Sequence, residues 1–275
     1  MDNTITAITP MGDRPLAFAL CQKWIIKQTL KPEQWIVVDD GRIPITPIVP
    51  MEYLRREPKP GDPKHTLAIN LKHALPKIKG DKIIIIEDDE YYAPTYIEEM
   101  SRHLENHKVV GIMHSKYYHL PSGGYVQMGN SQHASLAQTA FKGSFMPELS
   151  RFIEIGMIKD WLDCQIWAAL KTSRHPRPTN MLTPRSLRII QNKIAASKNG
   201  QSFLFVDSDK PLYLGIKGLP GRPGIGQGHN VGMYRTRDSA TRDILKSWVP
   251  EDYQIYIDVI NGKLTENNYR EYFGW

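Results

Sequence analysis

Apolar residues in the first ninety positions alternate between short β-rich runs and stretches that repeat at close to helical period, which predicts strands alternating with helices. Residues 4–9 read as a strand. Residues 15–30 carry Leu16, Ala19, Leu20, Trp24, Ile25 and Leu30 near a helical spacing, and 35–38 form a second strand ending in Asp39-Asp40-Gly41. That is a βαβ unit. After a Pro-rich connection at 44–63, a helix at 66–78 leads through Gly80 into 82–86, a continuous aliphatic run suited to a strand buried on both faces. It stops at Glu87-Asp88-Asp89-Glu90. A helix at 96–107 and a strand at 109–114 complete the pattern, so the expected fold class is α/β with a mostly parallel sheet flanked by helices.

The second half is less regular. Pro121-Ser122-Gly123-Gly124 predicts a hairpin turn, 158–170 and 187–197 helices, 203–206 a strand, and 240–275 a helical, aromatic tail. Residues 215–232 hold seven glycines and two prolines and read as a backbone-shaped loop without an element of its own. Trp24, Trp35, Trp161 and Trp167 fall at apolar positions and are expected in the core.

Composition narrows the class. Of 275 residues, 41% are hydrophobic and 23% charged, which excludes a disordered, collagenous or coiled-coil chain. The longest purely aliphatic run, Ile83 to Ile86, is far short of a membrane span, and the first residues lack a basic-then-apolar leader. Cys21 and Cys164 lie in apolar helical surroundings and read as free thiols, so a cytoplasmic protein without a membrane partner is expected. The formal net charge is +6, and between Asp163 and Asp207 there is no acidic residue but seven basic ones: Lys171, Arg174, Arg177, Arg185, Arg188, Lys193 and Lys198. That window is either a solvated face or a surface for a polyanion.

Both acidic clusters close predicted strands, where ligands gather in open α/β sheets. Consecutive carboxylates there repel one another, and a hard divalent cation, Mg²⁺ or Mn²⁺, relieves the repulsion. An acidic turn that merely ends the strand is the alternative.

The order ITAITPMGDRP, helix, QWIVVDDG, helix with AINLKHAL, then IIIIEDDEYYAPTYIEEM resembles the GT-A glycosyltransferases, particularly the family-2-like branch, and is similar to phage-encoded members. The resemblance implies a Rossmann-like GT-A fold in one domain. Residues 1–110 would bind a nucleotide-sugar, 111–235 would hold the acceptor side and the Gly-rich loop, and 236–275 would form the tail. It further implies that Thr9 and Pro10 line the nucleotide, Asp39 meets the base or ribose, and Glu87-Asp88-Asp89 stands for a DxD motif. Glu87 departs from the usual first Asp, which puts the main metal ligation on Asp89, with Asp88 toward the nucleotide. Arg14, Lys217 and Arg222 are placed to offset a diphosphate, and His229 to complete the metal shell. The family's acceptor-side base falls on Asp163, with Asp160 as second choice in KDWLDCQIW; a helix cap and a first-turn acid are the structural alternatives. The implied activity is metal-dependent transfer of a sugar to a hydroxyl. The basic window suggests DNA bearing a hydroxymethyl pyrimidine as acceptor, in a host cytoplasm if phage-encoded. Polysaccharide or protein acceptors, a nucleotidyltransferase and a non-catalytic nucleic-acid-binding module are the competing readings.

Overall fold

The structure, a computed structural model, describes residues 3–157, 161–172, 203–208, 210–224 and 226–275. Its strands are β1 (Ile5–Met11), β2 (Gln34–Asp39), β3 (Glu52–Arg55), β4 (Lys82–Ile85), β5 (Tyr91–Tyr92), β6 (Val109–Ile112), β7 (Lys116–His119), β8 (Gly124–Gln127), β9 (Thr139–Lys142), β10 (Phe203–Val206), β11 (Tyr213–Lys217) and β12 (Thr236–Arg237). The helices are α1 (Pro15–Lys27), α2 (Leu67–Ala74), α3 (Tyr96–Leu104), α4 (Met146–Gly156), α5 (Leu162–Thr172), α6 (Asp243–Trp248), α7 (Tyr253–Ile260) and α8 (Tyr269–Phe273).

The larger sheet runs β10-β6-β9-β4-β1-β2-β3. All its pairings are parallel except those of β9, which is inserted antiparallel between β4 and β6. This is the mixed, mostly parallel architecture expected. The aliphatic run is buried on both faces: Ile84 and Ile86 join a core with Trp24 and Phe18 of α1 and Met100 of α3, whereas Ile83 and Ile85 join one with Leu71 of α2, Phe152 of α4 and Trp167 of α5. Strand alternation thus serves two helical layers from one run of isoleucines.

A smaller sheet, β12-β8-β7-β11-β5, stands beyond the carboxyl ends of the central strands. The predicted hairpin is β7–β8, with Tyr118 opposite Tyr125 across the turn. β11 pairs parallel with β7 and antiparallel with β5, so the glycine-rich segment begins inside a strand; the expectation of a loop throughout is corrected at Gly215, Ile216 and Lys217. β3 lies within the Pro-rich connection, paired to β2 with Val38 opposite Leu54.

Trp24, Trp35 and Trp167 are buried, but Trp161 is 39% exposed at φ 72°, which overturns its assignment to the core. Trp167 fixes α5 to the sheet. Its ring lies where a Cβ on Gly111 would come within 2.5 Å, and its Nε1 donates to the Ala134 carbonyl at 2.8 Å. The helix expected at 187–197 lies outside the described residues. No helix among them is long and apolar enough to cross a membrane.

Candidate active site

Where β1 and β4 end, the two sheets and the start of α5 enclose a cavity of about 530 Å³. One wall is acidic. Glu87, Asp89 and Glu90 each turn a carboxylate oxygen toward a common point, with the three atoms within 4.8 Å of one another. Asp88 stands outside this trio and pairs with Arg14. Pro15 at the first helical position starts α1 immediately after Arg14, whose guanidinium spans Asp88 Oδ1 and Asp89 Oδ2 at 2.6 Å each. Asp88 Oδ2 is buried with no hydrogen-bond partner among the described residues.

The pairing of β11 with β5 brings a second cation to this wall. Tyr213 and Leu214 oppose Tyr92 and Tyr91; one step further, the Ile216 amide donates to Glu90 Oε2 at 2.8 Å and Lys217 Nζ donates to Glu90 Oε1. Four carboxylates therefore face two fixed cations, leaving two negative charges. The excess favours proton uptake: burial, with Asp89 and Glu90 beside it, pushes Glu87 up to about 8, and burial lifts Asp88 to about 7 against the pull of Arg14. Burial also acts to raise Asp89, but Arg14, Lys217 and His229 outweigh it and hold that carboxyl below its usual range. A divalent cation would offset the same excess of negative charge, and an all-oxygen donor set suits a hard ion. The residues fit a magnesium or manganese ion.

His229 lines the same cavity, and burial followed by the charge of Lys217 lowers it to about 4, so near neutral pH it presents a neutral imidazole. Arg222 crosses from the glycine-rich loop to Asp40 Oδ1 at 2.6 Å, while Arg56 holds Asp40 Oδ2 at 2.5 Å. At Gly221 (φ 110°) a Cβ would meet the Asp13 carbonyl at 2.5 Å, so glycine is required for the loop to lie against the start of α1.

A second part of the lining comes from the 128–136 loop and the first turn of α5. Asp163 Oδ2 lies 3.2 Å from His133 Nε2, with Cys164 beside them. Asn130 braces this loop, donating to the His133 carbonyl at 2.6 Å and accepting from the Ser115 amide at 2.9 Å. Trp161 forms part of the rim.

Of the residues singled out in the sequence, Pro10, Arg14, Glu87, Asp89, Asp163, Lys217, Arg222 and His229 line this one cavity. Thr9, Asp39 and Asp88 lie behind its lining. Thr9 Oγ1 accepts from Trp35 Nε1 at 2.9 Å. Asp39 is fully buried, accepting from the Gly41 amide at 2.8 Å and the Tyr53 hydroxyl at 2.6 Å, and so shapes the turn after β2. Asp160 and the basic residues from Arg174 to Lys198 lie outside the described residues. Sequence reasoning missed Glu90 as a member of the carboxylate cluster and His133 as the partner of Asp163. Glu90 was findable, since it continues the acidic run; His133 sits thirty positions from Asp163 in a stretch without periodicity.

The family described as glycosyl transferase family 2 has a model that matches residues 7–156. No curated protein matches the chain. Among solved structures, a nucleotidyl transferase from Methanothermobacter thermautotroptrophicus aligns at 14% identity and TM-score 0.43, covering 71% of this chain and all of that one. TarS of S. aureus aligns at 13% identity and TM-score 0.39, over 78% of this chain but only 36% of its own length. The glucosyl-3-phosphoglycerate synthase of Mycobacterium tuberculosis, solved with Mn²⁺, UDP and phosphoglyceric acid, aligns at 12% identity and TM-score 0.36, over 58% of this chain and 66% of that one.

Proposed function

The chain belongs to glycosyl transferase family 2, and from that premise we propose that its cavity binds a nucleotide-sugar, with UDP the nucleotide to test first, and passes the sugar to a hydroxyl of DNA bearing a hydroxymethyl pyrimidine. The observation that carries the transfer chemistry is the meeting, in one cavity, of a carboxylate cluster suited to a cation and a further carboxylate, Asp163. In this reading residues 1–110 serve the donor, 111–235 the acceptor and 236–275 the tail, all within one domain.

Glu87, Asp89 and Glu90, with His229 nearby, would hold Mn²⁺ or Mg²⁺, which when bound offsets charge on the departing diphosphate. Arg14, Lys217 and Arg222 supply further positive charge on that side. Pro10 borders the nucleotide, and Thr9 and Asp39 keep the ends of β1 and β2 in shape behind it. Asp88 holds Arg14 in place. On the acceptor side, Asp163 takes the proton from the attacking hydroxyl; the oxygen bonds to the anomeric carbon as the bond to the diphosphate oxygen breaks, and the nucleoside diphosphate leaves. Asp160 is the alternative base. DNA as acceptor is supported by the acid-free stretch with seven basic residues in the sequence, and a base in a duplex would have to be flipped out to reach the cavity.

Calorimetric titration with nucleotide-sugars, with and without Mn²⁺, tests the donor half: binding should require the metal and fail in Asp89→Ala. Asp163→Asn should keep donor affinity and lower transfer by ~10²–10⁴-fold, the usual worth of a general base. Transfer to an oligosaccharide or protein but not to hydroxymethylated duplex would move the acceptor to those classes.

A further inference from the structure

We infer that the acceptor-side wall carries a second cation site, His133, Asp163 and Cys164, suited to zinc and unlike the carboxylate wall in its chemistry. A nitrogen, an oxygen and a sulfur converge there, all within 4.8 Å of one another, and His133 Nε2 already lies 3.2 Å from Asp163 Oδ2. Zinc bonds of ~2.0–2.3 Å in a tetrahedron place donor atoms roughly 3.3–3.8 Å apart, so side-chain rotation of the order of an ångström closes the set. The backbones are pinned for it: Asn130 braces the His133 carbonyl, and Trp167, one helical turn beyond Asp163, is bonded to Ala134, the neighbour of His133.

The donor types set the selectivity. Thiolate and imidazole favour zinc over magnesium or manganese, whereas the three carboxylates Glu87, Asp89 and Glu90 favour the hard ions. The two walls therefore sort cations by softness. All three residues line the cavity, so a water would fill the fourth position. Binding replaces the thiol proton of Cys164, which passes to solvent. With the Asp163 carboxylate engaged, the acceptor hydroxyl loses its proton acceptor, so zinc acts as a brake on transfer; this consequence, unlike binding itself, rests on the function proposed above.

Cobalt tests the site. The full chain in excess Mg²⁺, which occupies the carboxylate wall, should develop a thiolate-to-Co²⁺ charge-transfer band in the near ultraviolet, saturating at one equivalent and bleached by Zn²⁺. The band should vanish in Cys164→Ser, weaken in His133→Asn and persist in Cys21→Ser and Asp89→Asn. Absence of the band in the unaltered chain, or its survival in Cys164→Ser, overturns the site. In the transfer assay Zn²⁺ should slow the unaltered enzyme by about 10²-fold or more and spare Cys164→Ser. Full transfer by a chain that shows the cobalt band would leave the site standing and overturn Asp163 as the base, so the two readings fail separately.

Discussion

Glu87 carries a proton that a carboxylate in water would have released, and this has a measurable cost as pH rises. Its folded value of about 8, against an ordinary 4.5, means that its contribution to stability is complete below about pH 4.5 and is lost by about pH 8. Asp88, lifted to about 7, acts in the same sense. His229, lowered from 6.5 to about 4, opposes both between those values, because there the unfolded chain takes up a proton that the folded chain refuses. The clean window is therefore pH 6.5–8, in which the metal-free protein should lose melting temperature while Glu87→Gln loses less. Mn²⁺ should raise the melting temperature more at pH 8 than at pH 6.5; calorimetric scans at both values check each outcome, and a Mn²⁺ gain independent of pH would contradict them. At this scale much of the site was legible: consecutive acids at the end of an apolar strand report their own repulsion. His133 was not, because only the fold brings it to Asp163, and nothing local marks it.

Between the strands and the cavity, the glycine-rich segment is held by specific contacts. Arg222 bonds to Asp40, the Arg222 amide donates to the Asp13 carbonyl at 3.2 Å, and Gly221 lies against Asp13 and Arg14. Gly221→Ala should cost ~1–3 kcal/mol of local strain and weaken donor binding, as the loop lifts from the start of α1. Gly226, whose Cβ position meets only the edge of the His229 ring at 3.9 Å, should accept alanine with donor affinity retained. Titration of both variants with the same nucleotide-sugar makes the comparison; equal losses would show that the loop does not need this backbone. Periodicity located α1, α3 and β4 well because their burial patterns repeat. It missed β3, β9 and β11, strands of only four or five residues; β9 and β11 pair with strands distant in sequence, and Gly215 interrupts the alternation of β11.

Over the whole molecule, the two helical layers meet the sheet through a few large side chains, and Trp167 is the one that ties the acceptor wall to the core. Trp167→Ala should cost ~3–5 kcal/mol, seen as a lower urea midpoint with an unchanged slope, and should reduce transfer more than donor binding, since α5 carries Asp163. A normal midpoint would refute the anchoring role. The class of fold was readable from the first ninety residues because a strand buried on both faces demands helices on both sides; the antiparallel member was not, because Thr139–Lys142 is too short to declare its direction. That strand has a consequence for how the chain is made. β4 can pair with β1 once residues 82–85 have emerged, but its other edge is closed only by residues 139–142, and β6 needs β9 to join β4 in the sheet. During synthesis, then, a buried strand with three consecutive isoleucines is left with an unpaired edge for the length of more than fifty further residues. An exposed apolar edge of this kind is open to pairing with neighbouring chains, so the nascent protein is most vulnerable to aggregation before residues 139–142 have emerged.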